Sequence, residues 1–195
     1  MKQGFFTIIK NEARTDSVYR MELEGDTSAI TNCGQFVDLR LPEKYLRRPI
    51  SVCDYSDSTL TLIYKVVGSG TEIMAALPVG TKLDVLTGLG NGYDLSLSGD
   101  APLLVGGGVG VPPMYNLCKK LIAQGKRVQV VLGFNTGSEI FLAEQFRALG
   151  AEVHIATADG SVGTKGFVTD VIKELTYSYF YSCGPISDRI LEIEV

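Results

Sequence analysis

A glycine-rich segment between an apolar run and two prolines is the clearest chemical feature of the sequence. Residues 103–113 begin with apolar residues typical of a buried strand, continue with glycines and end in Pro112 and Pro113, which favour a helix start. Glycines let the backbone turn sharply and approach a ligand, and a helix N-terminus presents free N–H groups and a positive dipole end. The segment therefore predicts a diphosphate site, with a simple strand-to-helix turn as the alternative. The residues predicted to form this site are Gly106, Gly107, Gly108, Gly110, Val111 and Pro112.

The sequence contains few residues suited to metal binding or acid–base catalysis. It has one histidine, His154, inside a predicted strand, and four cysteines with no CxxC pair. We therefore predict no metal site, no catalytic triad and a structural role for His154. The cysteines, which we expect to be reduced thiols, are Cys33, Cys53, Cys118 and Cys183.

Composition excludes several other classes of protein. Hydrophobic residues make up 45% of the chain and charged residues 21%, as in folded globular proteins. The net charge of −4 leaves no basic surface for nucleic acid. No run approaches the roughly 18 apolar residues of a membrane helix, and the N-terminus lacks the apolar core of a signal peptide. We expect a cytoplasmic protein that binds neither nucleic acid nor membrane.

Two patterns of hydrophobicity divide the chain. Residues 5–98 follow a period of two, as where Leu60, Leu62 and Tyr64 share one face of a strand, and turn residues separate the segments. This pattern predicts a small antiparallel β-barrel with one short helix near 69–77. Beyond residue 101, apolar strands alternate with helical segments, which is typical of a parallel sheet covered by helices. The sequence thus predicts a β-barrel domain at 1–98 and an α/β domain at 101–195.

The alternating segments of the α/β domain can be placed individually. The glycine segment follows the first of the predicted strands, in a βαβ context. The expected strands lie at 102–107, 128–134, 152–158 and 178–182, and the expected helices at 112–124, 138–149 and 166–175.

Three motifs in the barrel half, in a fixed order, carry a resemblance to a known family. They are the segment RRPIS at 47–51, IYKVVGSGT at 63–71 and TGLGNGY at 87–93. Together with the glycine segment, they resemble the electron-transfer subunits of NAD-linked dihydroorotate dehydrogenases, which belong to the ferredoxin-reductase superfamily. The resemblance implies an N-terminal flavin-binding barrel that carries FAD and a parallel-sheet nucleotide-binding domain that carries NAD. The implied FAD-binding residues are Arg48, Pro49, Ile50, Ser51, Ile63, Tyr64, Lys65, Gly70 and Thr71.

These residue types suit a flavin dinucleotide. The guanidinium of Arg48 can pair with the diphosphate, and the hydroxyl of Ser51 can hydrogen-bond to the isoalloxazine edge. Gly70 and Thr71 would offer N–H and hydroxyl donors to phosphate at a helix start. Tyr64 could stack on the flavin or the adenine, with a half-buried strand residue as the alternative.

A Cys-Gly-Pro sequence near the end of the chain matches a second site of the superfamily. In that superfamily this motif ends a strand and approaches the junction of nicotinamide and isoalloxazine, and here it consists of Cys183, Gly184 and Pro185. Cys183 is small and polarisable, so we expect it to position the nicotinamide rather than act as a nucleophile. The resemblance also places Asn91 near the flavin. Hydride transfer from NADH to the flavin is chemistry of the cofactors, which the protein aligns.

The choice between NAD and NADP is predicted from the segment that follows the second α/β strand. Residues 133–139 contain no arginine to pair with a 2′-phosphate, which favours NAD. Residues 159–170 resemble a loop and helix of the family. The alternative is that Asp159 and the glycines only shape the turn.

The C-terminal end departs from the family. Members continue into a domain with four cysteines that hold a [2Fe–2S] cluster, and this sequence contains no ligand set for one. We therefore expect either a truncated chain or a flavin that faces its acceptor directly. The resemblance implies a hetero-oligomer with an FMN-containing dihydroorotate dehydrogenase catalytic subunit in pyrimidine biosynthesis. The alternatives are an NAD(P)H:ferredoxin or sulfide dehydrogenase subunit and a non-catalytic binding or assembly protein that keeps the fold.

Overall fold

A computed structural model describes residues 1–184 of the 195-residue chain. The chain divides into two compact units, Met1–Tyr93 and Asp94–Val195. This division falls ahead of residues 98–101, where the hydrophobic pattern changes. Within the described residues, no helix is both long and apolar enough to cross a membrane.

The first unit is a closed barrel of six antiparallel strands. The strands are β1 (Lys2–Ala13), β2 (Val18–Glu24), β3 (Phe36–Arg40), β4 (Arg48–Tyr55), β5 (Thr59–Lys65) and β6 (Lys82–Leu89). They pair in the order β1-β2-β5-β4-β3-β6, so two strands separate β1 from β4 in either direction around the barrel. Leu60, Leu62 and Tyr64 of β5 lie in the barrel core, as their period of two predicts. Helix α1 (Ser69–Ala76) follows β5, and its predicted position is confirmed.

The second unit is built on a five-stranded parallel sheet. Its strands are β7 (Leu103–Gly107), β8 (Gln129–Phe134), β9 (Glu152–Thr157), β10 (Thr164–Lys165) and β11 (Phe180–Cys183), and its helices are α2 (Val111–Ala123), α3 (Ala143–Leu149) and α4 (Val168–Ile172). The strand order is β10-β9-β8-β7-β11, with every pair parallel. All residues of β7 are buried, which explains its continuous apolar and glycine sequence. The predicted class, a β-barrel followed by an α/β sheet, is confirmed.

Two helices of the second unit are shorter than predicted. The helix expected at 138–149 begins only at Ala143, because Leu142 has a φ of 65° and interrupts the helical backbone. The helix expected at 166–175 begins at Val168, where the carboxylate of Asp170 accepts a hydrogen bond from the N–H of Phe167 at 3.0 Å. The last strand runs over Phe180–Cys183 instead of 178–182.

Candidate functional site

The structure of the barrel unit brings Arg48 against the first turn of α1. Arg48 begins β4 and Gly70 is the second residue of α1. A Cβ atom at Gly70 would lie 2.8 Å from Cζ of Arg48 and closer still to Nε, so the guanidinium passes directly over the glycine. Nζ of Lys44 donates a hydrogen bond to Oγ of Ser69 at 3.0 Å. Two cations and the positive end of a helix dipole thus meet at one place, which suits a diphosphate.

The hydroxyl of Thr71 closes the turn before α1. It accepts hydrogen bonds from the N–H of Val67 at 2.9 Å and of Gly68 at 3.3 Å, and it donates to the carbonyl of Gly68 at 2.9 Å. The sequence predicts that this hydroxyl donates to phosphate. In the structure it is engaged by the backbone, so Thr71 acts on the shape of the turn.

Tyr64 is packed inside the barrel. Its side chain is 2% exposed, its hydroxyl donates to Oδ1 of Asn11 at 3.1 Å, and its ring stacks on Tyr19 with centroids 6.1 Å apart. Burial raises the pKa of the Tyr64 phenol above its usual range. This placement agrees with the strand-residue alternative, because a ring enclosed by the core offers no face to a cofactor. Its neighbour Ile63 is also buried, and Lys65 is half-buried.

Asn11 is a polar residue of β1 that sequence reasoning did not single out. Its Nδ2 donates to the carbonyl oxygens of Met74, Ala75 and Leu77 at 2.9, 3.3 and 3.1 Å. These carbonyls belong to the C-terminal end of α1, where the helix leaves acceptors unpaired. Asn11 therefore ties α1 to the barrel, together with its contact to Tyr64. No local signal reveals it, because its partners lie more than 50 residues away in the chain.

The rest of the RPIS motif follows along β4. Pro49 is exposed, Ile50 packs against the barrel core, and Ser51 is half-buried opposite Phe36 of β3. Ser51 lies three residues beyond Arg48, about 10 Å at roughly 3.3 Å per residue. The strand therefore presents a cation at one end and a hydroxyl farther along.

The glycine-rich loop after β6 is fastened by a buried glutamine. Nε2 of Gln35 donates to the carbonyl of Gly90 at 2.9 Å, and its Oε1 accepts from the N–H groups of Thr31 and Asn32 at 2.8 and 3.1 Å. Asn91 is exposed, and its carbonyl accepts from Nδ2 of Asn32 at 3.2 Å. The sequence predicts a site role for Asn91 and gives no signal for Gln35, whose role depends on pairing two distant loops.

The glycines after β7 allow three backbone segments of the second unit to meet. A Cβ atom at Gly106 would lie 2.9 Å from Cα of Val111 at the start of α2. At Gly110 it would lie 2.6 Å from the backbone nitrogen of Gly184 and closer still to the carbonyl of Cys183. Neither position accepts a side chain without moving backbone. The start of α2 consequently lies against the carboxyl ends of β7 and β11.

Helix α2 offers fewer free N–H groups than a helix start usually does. Pro112 and Pro113 have no N–H, and the N–H of Val111 donates to the carbonyl of Gly108. Gly108 has a φ of +50° and no atom within 4 Å of its Cβ position. A phosphate would therefore be held by the helix dipole and by close approach to the glycine backbone more than by helix donors.

Cys183 and Gly184, the residues predicted to contact the nicotinamide, lie beside these glycines. Cys183 pairs with Gly106 across β11 and β7, and a Cβ atom at Gly184 would be 3.3 Å from the nitrogen of Gly107. Cys183 is half-buried and forms no disulfide. Pro185 lies outside the described residues.

Two acidic side chains shape the loops after β8 and β9. Oε2 of Glu139 accepts from the N–H and Nδ2 of Asn135 at 3.1 and 3.0 Å. Oδ1 of Asp159 accepts from the Ser161 hydroxyl and N–H, and these bonds lower the pKa of Asp159 below its usual value. Oγ of Ser161 also accepts from the N–H of Gly137 at 2.7 Å, which joins the two loops.

The described residues do not fit a metal centre or an iron–sulfur cluster. None of their histidine, cysteine, aspartate and glutamate side chains form a group of three or more that could hold a metal ion. Burial raises the pKa of the Cys118 thiol to about 12 and that of Cys53 further. His154 lies on β9, with Nε2 3.3 Å from Oε1 of Glu152.

Comparison with known proteins extends these observations. No family model matches the chain. The chain is 43% identical over 195 residues to the dihydroorotate dehydrogenase B (NAD(+)) electron transfer subunit of Bacillus pumilus, covering 95% of this chain and 75% of that protein. It is also 43% identical over 202 residues to the subunit of the same name from Fusobacterium nucleatum, covering 95% and 77%.

Solved structures show the same architecture. An NADH-dependent reduced ferredoxin-NADP oxidoreductase aligns with a TM-score of 0.82 and 29% identity over 94% of this chain and 69% of its own. The flavohem-like FAD/NAD binding domain of nitric oxide dioxygenase from Vibrio cholerae aligns with a TM-score of 0.80 and 20% identity, covering 96% and 90%. The fold is thus that of ferredoxin-reductase-like FAD/NAD-binding proteins. The identities to the two named subunits show that the chain belongs to the family of dihydroorotate dehydrogenase B (NAD(+)) electron transfer subunits.

Proposed function

We propose that this chain binds FAD and NAD(H) and carries electrons between NAD(H) and the catalytic subunit of a dihydroorotate dehydrogenase in pyrimidine biosynthesis. The observation that carries the proposal is the placement of Arg48 over Gly70, at the start of α1. Two motifs separated in the sequence form one electropositive site there. The family membership supplies the electron route.

In the barrel unit, the proposed residues bind and orient the flavin dinucleotide. Arg48 and the backbone at Gly70 hold the diphosphate, with Thr71 fixing the turn between them. Pro49, Ile50 and Ser51 line the strand that leads towards the isoalloxazine, and Ser51 donates or accepts a hydrogen bond at its edge. FAD, when bound, supplies a two-electron carrier that exchanges hydride with nicotinamide and electrons with an acceptor.

Backbone contacts complete the proposed flavin site. Because the ring of Tyr64 is enclosed by the barrel, Ile63, Tyr64 and Lys65 contribute through the main chain of β5. Asn91 offers its exposed side chain from the loop that Gln35 holds in place.

In the second unit, the proposed residues hold the dinucleotide of NAD(H). Gly106, Gly107, Gly108 and Gly110 let the diphosphate approach the backbone, while Val111 and Pro112 set the direction of α2. Cys183, with Gly184 and Pro185, positions the nicotinamide and leaves room beside its reactive carbon. The absence of arginine from residues 133–139 favours NADH over NADPH.

The name of the relatives implies a partner catalytic subunit in a hetero-oligomer. We propose an FMN-containing subunit that interconverts dihydroorotate and orotate. The described residues of this chain provide no ligands for a [2Fe–2S] cluster, so no step is assigned to one.

Purification and reconstitution test the proposal. The protein is expected to bind FAD, to show a flavin spectrum that NADH bleaches, and to co-purify with an FMN-containing dihydroorotate-oxidising subunit. NADPH should bleach the flavin much more slowly. A protein that cannot take up FAD would support instead a non-catalytic role for the fold.

A second candidate function is reduction of ferredoxin. It is favoured by the 29% identity and TM-score of 0.82 to an NADH-dependent reduced ferredoxin-NADP oxidoreductase. If the FAD-loaded protein reduces ferredoxin rapidly and captures no dihydroorotate-oxidising partner, the pyrimidine assignment is wrong and this candidate replaces it.

A further inference from the structure

Tyr45 is an aromatic residue that contributes nothing to the barrel core. It lies in the loop between β3 and β4, and it is 99% exposed to solvent. Leu46, the next residue, is also exposed. Covering the apolar face of a tyrosine ring while its hydroxyl stays in water is energetically favourable. The exposed ring of Tyr45 therefore suits a flat ligand that can stack on it.

The loop that carries Tyr45 is fastened on both sides to the candidate diphosphate site. On one side, Nζ of Lys44 donates to Oγ of Ser69, the first residue of α1, at 3.0 Å. On the other, Nη1 of Arg48 donates to the carbonyl of Leu46 at 2.9 Å. Tyr45 is consequently held beside the positive start of α1.

The order of residues along the chain matches the order of groups in FAD. FAD is linear, with isoalloxazine, ribityl chain, diphosphate and adenosine in sequence. Ser51 lies about 10 Å along β4 from Arg48, at roughly 3.3 Å per residue, which separates an isoalloxazine contact from a diphosphate contact. With the isoalloxazine towards Ser51 and the diphosphate at Arg48, bound FAD would place its adenosine on the other side of Arg48, towards Leu46 and Tyr45.

Other aromatic residues of the barrel unit are poorly placed for this role. Tyr64 is only 2% exposed. Phe5 is 75% exposed, but it lies on β1, the strand opposite β4 in the closed barrel. In the described barrel unit, Phe5 and Tyr45 are the exposed large aromatic residues. Of these two residues, only Tyr45 lies close to Arg48 in the sequence.

We propose that the ring of Tyr45 stacks on the adenine of bound FAD. This inference rests on the proposed function, because it assigns the adenine end of the same cofactor. The stack adds binding energy that FAD can use and that a flavin without adenosine cannot.

Flavin titration of the apoprotein tests the inference without a measurement of activity. Apoprotein carrying Tyr45→Ala, Tyr45→Phe or Phe5→Ala is titrated with FAD and with FMN, and the dissociation constants are compared with wild type. Tyr45→Ala should weaken FAD binding about 5- to 150-fold, corresponding to about 1–3 kcal/mol for one base–aromatic stack. Its affinity for FMN should stay at the wild-type value, because FMN has no adenine.

The remaining variants serve as controls. Tyr45→Phe keeps the ring face and should retain FAD binding, and Phe5→Ala removes an exposed ring elsewhere and should change neither affinity. Unchanged FAD affinity in Tyr45→Ala, or an equal loss of FAD and FMN, overturns the inference while leaving the flavin function intact. A wild-type protein that binds neither flavin overturns both.

Discussion

Replacement of Gly70 by alanine should weaken FAD binding strongly while leaving the stability of the fold nearly unchanged. The new Cβ would lie 2.8 Å from Cζ of Arg48 and still closer to Nε, so the guanidinium must leave its place over α1. The guanidinium of Arg48 is the end of a flexible side chain, so it can move into solvent without moving the backbone. Alanine in place of glycine inside a helix also gains about 0.5–1 kcal/mol. The free energy of unfolding should therefore change by no more than about 1 kcal/mol.

The effect of Gly70→Ala on FAD affinity should be much larger. A hydrogen bond to a charged group contributes about 1.5–3 kcal/mol, which corresponds to a loss of roughly 10- to 150-fold in affinity if Arg48 no longer reaches the diphosphate. Titration of apoprotein with FAD measures this loss, and urea unfolding measures stability. In an Arg48→Ala background, Gly70→Ala should have little further effect, since both changes remove the same contact.

Gly68→Ala is the matched control for this experiment. Gly68 lies in the same turn, its φ of 173° is extended backbone, and no atom lies within 4 Å of its Cβ position. Its replacement should leave FAD affinity near the wild-type value. Wild-type affinity in Gly70→Ala, or a loss that persists undiminished without Arg48, would refute the role assigned to this contact.

Three further predictions follow from the contacts described. Gly110→Ala should destabilise the second unit by several kcal/mol, because the new Cβ would meet the backbone at Cys183 and Gly184. Gly108→Ala should cost only about 1–2 kcal/mol, because the strain comes from the positive φ alone. Thermal unfolding compares the two variants, and equal losses of stability would count against the glycine packing. Asn11→Ala should lower the free energy of unfolding by about 2–3 kcal/mol, because α1 loses the donor to its last carbonyls. Tyr64→Phe should lower it by about 1 kcal/mol, because it removes one hydrogen bond to Asn11. Urea unfolding should show this order, and an Asn11→Ala variant as stable as wild type would contradict it. Alkylation of native protein near pH 8 should modify Cys183 before Cys118 and Cys53. Burial raises the pKa of the Cys118 and Cys53 thiols and so lowers the fraction of each that is reactive thiolate. NADH should protect Cys183 from alkylation, and faster reaction of Cys118 would be inconsistent with this account.

Local patterns in the sequence were sufficient to predict much of the fold. The period of two on β5 placed Leu60 and Leu62 in the barrel core, and the apolar run before Gly106 marked a fully buried parallel strand. The same period also places Tyr64 on the inner face. Its burial could therefore have been inferred from the pattern that identified the strand.

Other features depend on contacts that no local pattern contains. The late start of α3 follows from the left-handed backbone of Leu142, a conformation that leucine rarely adopts. Asn11 and Gln35 act by joining segments that are distant in the sequence. Motif order predicted that Arg48 and Gly70 serve one cofactor, but only the structure shows the guanidinium lying over the glycine.

Anaerobic mixing of the FAD-loaded protein with NADH tests the central claim most directly. The account predicts that the flavin absorbance is bleached in proportion to the NADH added, with NADPH far less effective at the same concentration. A protein that retains FAD and whose flavin spectrum NADH leaves unchanged would contradict the claim that this chain takes electrons from NADH.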